Sequence, residues 1–175
     1  MKIDFTSITY LKTGSQIQQH VYQILTHHQV LMPIQAFTPV VVGTFPLDIA
    51  IESSDIDIAC QFDDLAVFQQ VIQTNFSRCE EFATTIFDLR GKQTYVANFI
   101  LDNFPIEIFA QQIPVTEQYD YRHMLIEHII LEEKGEEFKA QIIAYKKAGL
   151  KTEPAFAQAL GLIGDPYETL LAYPF

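Results

Sequence analysis

Three apolar blocks, separated by short breaks, constrain this chain more than any other feature. Residues 81–89 and 93–101 are rich in aromatic and β-branched side chains, and Arg90-Gly91-Lys92 lies between them. That pattern predicts a β-hairpin. Asn103 breaks the second block, and Pro105-Ile106-Glu107-Ile108-Phe109 reads as a further short strand. Upstream, residues 38–44 read as a buried strand ending at Gly43-Thr44. After an irregular stretch over 45–54, Asp55-Ile56-Asp57-Ile58-Ala59-Cys60 begins with strict polar–apolar alternation, the mark of a half-buried strand.

Helical spacing brackets this β region. Ser15 to about Gln29 predicts a helix whose Ile17, Val21, Ile24, Leu25 and His28 share one face. Asp63-Asp64 would cap a second helix with Leu65, Phe68, Ile72 and Phe76 inward. From Tyr119 onward the period is helical throughout. One stripe is Tyr121, Met124, Leu125, His128 and Ile129; the next is Phe138, Ile142, Tyr145 and Gly149, with Lys146 and Lys147 at its electronegative end. Thr152 would cap a helix closed by Gly161, and Asp165-Pro166-Tyr167-Glu168 opens another. The expected class is α+β, with a mostly β core over residues 1–118 and a C-terminal helical subdomain over 119–175 packed on it.

With 175 residues the chain has the size of one domain. Lys and Arg total 11 against 22 Asp and Glu, a net charge of −11, which argues against duplex nucleic acid as a bulk partner. No apolar run reaches the length of a membrane span, and Met1-Lys2-Ile3-Asp4 has no leader-like pattern. Cys60 and Cys79 have no zinc spacing and read as reduced thiols, so a cytoplasmic location is expected.

Alternation along a strand puts Asp55 and Asp57 on one side, with Ile56 and Ile58 in the core on the other. Glu107, between two isoleucines, projects away from the core in the same way. Three carboxylates on one sheet face repel one another and raise each other's pKa. Hard divalent cations, Mg²⁺ first, explain such a cluster, and two of them can serve phosphoryl transfer. Gly43 would let backbone amides approach a phosphate, and the Thr44 hydroxyl would add a donor. The competing reading of Asp55 and Asp57 is the solvated face of an edge strand. Arg122 either reaches a phosphate or pairs with an acid, and Lys151 either joins a helix start in holding phosphate or sits on the surface. His123 and Glu127, one turn apart, read as a surface pair, and His27-His28 as solvated.

Gly43-Thr44, ten residues, Asp55-x-Asp57 and then Glu107 together resemble the nucleotidyltransferase superfamily with the DNA polymerase β-like fold. The run from Gly43 through Leu47 to Ser54-Asp55-Ile56-Asp57-Ile58, Tyr121-Arg122-His123-Met124 and Lys151-Thr152-Glu153-Pro154-Ala155-Phe156 are similar to an uncharacterised bacterial family of unknown function within it. The resemblance implies a mixed sheet flanked by helices, with a helix after Gly43-Thr44. It also implies Mg²⁺-dependent transfer of a nucleoside monophosphate from a nucleoside triphosphate to a hydroxyl acceptor. Asp55, Asp57 and Glu107 would be metal-binding and catalytic; Gly43, Thr44, Arg122 and Lys151 would bind nucleotide phosphate. A non-catalytic, antitoxin-like binding module is the alternative, with the tail Tyr173-Pro174-Phe175 as a protein contact.

Overall fold

The computed structural model describes residues 3–174; Met1, Lys2 and Phe175 lie outside the described residues. Five strands form one sheet in the order β1-β2-β5-β4-β3. They are β1 (Val40–Val42), β2 (Ile56–Gln61), β3 (Glu80–Leu89), β4 (Lys92–Leu101) and β5 (Phe104–Gln111). β2 and β5 run parallel and every other pairing is antiparallel, so the sheet is mixed. The hairpin forms as expected: Arg90 and Gly91 both have positive φ, 56° and 73°, which matches the twist of a two-residue hairpin turn. Asp102 and Asn103 repeat the device between β4 and β5, at 49° and 65°.

Two cores cover the two faces. On one, Val41, Ile56, Ile58, Tyr95, Phe99, Ile106 and Ile108 pack against α1 (Gln16–His27) and α2 (Leu65–Phe76). Ser15 caps α1 in a capping box with Gln18, and the Asp64 carboxylate accepts from Ala66 and Val67 amides to start α2. On the other face, Val40, Val42 and Ala59 pack against α3 (Tyr119–Lys147), α4 (Thr152–Leu160) and α5 (Pro166–Leu171). α3 is broken at Gly135 (φ 77°, ψ −170°), which separates the two apolar stripes read from the sequence. Among the described residues, no helix is long and apolar enough to cross a membrane. Cys60 and Cys79 are both free.

Three expectations need correction. Ile17 is 38% exposed and His28 is also exposed; the α1 face turns inward through buried Gln18 instead, whose Nε2 donates to the Phe45 and Pro46 carbonyls. Residue 152 does not cap α4: Lys151 is the capping position and supplies no side-chain bond. The segment after Gly43-Thr44 forms turns rather than a helix. Phe45 belongs to one core while Leu47 and Ile49 belong to the other, and no single helix face can serve both. Asp48 sits at φ 55° in the middle of that segment.

Candidate active site

The parallel register of β2 and β5 builds the site. Asp57 and Glu107 are direct Cα partners, flanked by the buried pairs Ile56–Ile106 and Ile58–Ile108. The isoleucines fix which way the strands face, so both carboxylates emerge together beneath α3 and α4. Asp55 sits just before β2, and β1 delivers Gly43 across from Asp57 through the Val42–Asp57 pairing. Gly43 has φ 74°, and a Cβ there would fall on Asp57 Oδ2. Only glycine provides both the left-handed turn and the close approach.

Asp55, Asp57, Glu107, Gly43 and Thr44 line one cleft of about 600 Å³, together with Lys151. Arg122 is exposed, with its guanidinium 5.8 Å from the Tyr119 ring centroid, and does not line the cleft. Asp120, Glu127, Lys146 and Glu153 also line it, none of which the residue pattern marked as a site. Asp120 is in the first turn of α3, a helix end held to β2 by buried Gln118, whose Nε2 donates to the Cys60 carbonyl at 2.8 Å.

His123 and Glu127 are not a surface pair: they are 2% and 3% exposed. His123 Nε2 donates to the Tyr167 carbonyl at 2.8 Å, tying α3 to α5. Lys146, in the last turn of α3, does not simply answer the helix dipole. It is 5% exposed, and among the described residues its Nζ has no hydrogen-bond partner; nor have Glu127 Oε1 and Thr44 Oγ1.

Burial and mutual repulsion dominate the electrostatics. Asp57 is pushed well above the usual carboxylate range by burial first, then by Asp55, Glu107 and Asp120, against the pull of Lys146. Glu107 rises through burial, Asp55 and Asp120, opposed by Lys151. Asp120 is raised to about 6 by burial and Glu153, with His123 opposing. Glu127 rises through burial and Glu153, with Lys146 pulling the other way. Burial lowers Lys146 to about 8 despite Glu127, Asp57, Glu153 and Asp55 around it. Among the described residues, no three His, Cys, Asp or Glu side chains close into a metal-holding group. The cleft still holds six Asp and Glu side chains against two lysines, hard oxygen donors in excess that suit a divalent cation, and the buried Thr44 hydroxyl and Lys146 ammonium suit a polar ligand.

This sheet with its flanking helices is the nucleotidyltransferase-like α+β fold. A GLD-2/RNP-8 complex structure is similar at TM-score 0.54 and 13% identity, over 82% of this chain and 56% of that one. A mutant of the Cid1 poly(U) polymerase bound to MgATP is similar at TM-score 0.55 and 11% identity, over 87% and 47%. A cytoplasmic RNA terminal U-transferase follows at 0.53 and 12%, over 75% and 39%. At such identities the likeness is one of fold, and the chain spans about half the length of these neighbours or less. No curated protein sequence matches. The chain belongs to the family described as a domain of unknown function, DUF4269, which it matches over residues 23–173.

Proposed function

We propose that this chain is a nucleotidyltransferase that moves a nucleoside monophosphate from a nucleoside triphosphate to a hydroxyl acceptor. The observation that carries this reading is the Asp57–Glu107 pair set side by side in parallel register, facing a glycine turn that has no room for a side chain. A solvated edge strand does not account for it, because β2 lies between β1 and β5 and Asp57 is half-buried in the cleft.

Asp55, Asp57 and Glu107 would hold Mg²⁺, which when bound supplies positive charge against the phosphates and the developing pyrophosphate. Gly43 and the Thr44 hydroxyl bind phosphate oxygens at the turn. Lys146, buried, and Lys151, exposed, supply positive charge to the same cleft, and the low dielectric around Lys146 strengthens its share. The acceptor oxygen bonds to the α-phosphorus, the bond from that phosphorus to the bridging oxygen breaks, and pyrophosphate leaves with the electron pair. The Glu107 carboxylate takes the acceptor's proton.

Calorimetry and labelled-nucleotide transfer test the reading. ATP should bind only with Mg²⁺, and Gly43→Val should abolish binding; Thr44→Ala, which keeps the backbone unstrained, should weaken it. Asp57→Asn should abolish transfer of label from ATP into acceptors of a cell extract. Equal ATP affinity in chelator counts against the site. Mg²⁺-ATP binding without product from any acceptor pool turns the reading toward a binding module on the same fold.

A further inference from the structure

A second cavity, of about 540 Å³, opens beside the carboxylate cleft and shares Phe109, Asp120, His123 and Glu153 with it as a common wall. Its remaining lining is mixed: Leu89 at the hairpin, Ile113 before α3, and Tyr119 and Tyr167 from the helices supply the apolar half, and polar or charged side chains of the sheet and the α3 approach supply the rest. Sheet order fixes which end of the site it serves. The glycine turn lies at the β1 end, the carboxylates on β2 and β5, and this cavity on the β5–β4–β3 side. Glu107 lines only the carboxylate cleft, so a ligand seated here approaches it across the shared wall, from the side away from Gly43.

We infer that this cavity binds a small, non-anionic compound with a flat ring and a hydroxyl group, which, on the transfer reading above, is the acceptor. The volume suits a single small molecule rather than a folded polymer. Ring-shaped apolar walls of Phe109, Tyr119 and Tyr167 suit a flat ring. Glu117, Asp120 and Glu153 also line it, and carboxylates accept hydrogen bonds from hydroxyls while repelling an anion. Arg90 does not offset them. Its guanidinium lies 3.9 Å over the Tyr119 ring and is held by Glu168 at 2.6 Å, a clasp that the Tyr119 hydroxyl joins by donating to the same carboxylate at 3.2 Å. That leaves Lys92 as the other cation in the lining against three acids.

Ligand-observed NMR on the full chain near neutral pH separates the outcomes, with 4-hydroxybenzyl alcohol as the neutral probe and 4-hydroxybenzoate as its anionic counterpart. The neutral probe should bind at least about tenfold more tightly, and should still bind when the protein is saturated with Mg²⁺-ATP. Leu89→Glu, at a half-exposed hairpin position, and Tyr167→Ala should each weaken the neutral probe by about tenfold while leaving Mg²⁺-ATP affinity within about twofold. Equal binding of both probes, no effect of either variant, or displacement of the neutral probe by Mg²⁺-ATP would overturn the inference; displacement would give the cavity to the nucleotide. Neutral-probe binding by a parent protein that fails to bind Mg²⁺-ATP supports the cavity's ligand class and defeats the transfer reading alone.

Discussion

Asp57 works against the fold that holds it. Its carboxyl is raised by burial and by three neighbouring acids, so the charged form costs stability at neutral pH. Asp57→Asn should therefore melt at the parent's temperature or slightly above it without metal, and should lose the stabilisation that Mg²⁺-ATP gives the parent, because a ligand stabilises only what it binds. Calorimetric scans of both proteins check this, and unfolding of the variant would make Asp57 structural. Asp120 gives the same physics a pH window. An acid whose folded pKa is raised binds its proton more readily when folded, so its contribution is fully present below the ordinary value of 3.8 and is lost as pH rises to about 6. Asp120→Asn should be more stable than the parent at pH 7, by on the order of 1–3 kcal/mol, with the difference shrinking toward pH 4 in denaturant titrations. Asp55, Asp57 and Glu107 were legible in the sequence because alternation alone puts each opposite a buried isoleucine. Asp120, Glu127, Lys146 and Glu153 were not, because helical periodicity shows which residues share a face but not that the face meets a sheet carrying three acids. In Lys146 the signal was present and pointed elsewhere, since a lysine in a last helical turn has an ordinary explanation in the helix dipole.

At the level of elements, local signals located most of the fold. The Ser15 capping box, the Asp64 and Asp165 caps and the glycine of the β3–β4 hairpin each satisfy backbone groups within a few residues, so their chemistry is written locally. The turn over residues 45–48 was not legible, because it is shaped from a distance. Asp48 there accepts from Ser15 Oγ and from Lys139 Nζ, the latter at 2.7 Å, joining the start of α1 to α3. Ser15 thus serves two elements at once. Ser15→Ala should cost about 1–2 kcal/mol in chemical denaturation, more than an isolated cap of this kind usually does, since the Asp48 bond is lost with it. A loss confined to a few tenths of a kcal/mol would mean that Lys139 alone holds the turn.

For the molecule as a whole, the question is whether residues 1–118 and 119–175 are separable. The carboxylate face of the sheet is also the face that α3, α4 and α5 cover. Val40, Val42, Leu47, Ile49 and Ala59 from the first segment share one core with Met124, Ile130, Ile142, Phe156 and Leu170 from the second. Removing the helices would expose that apolar layer beside three unscreened acids, in a fragment whose 5 Lys and Arg against 13 Asp and Glu leave a net charge of −8. The same cut would remove Lys146 and Lys151, the cations that oppose the raised pKa of Asp57 and Glu107. Residues 1–118 expressed alone should therefore fail to fold cooperatively. The expected result is strong binding of a hydrophobic dye, poorly dispersed amide resonances and no sharp thermal transition, with native behaviour returning only when residues 119–175 are supplied in the same chain. A cooperative melt and dispersed spectrum from residues 1–118 would instead show that the α1–α2 face suffices to hold the sheet, and that the helical segment is a cover added to a fold already complete.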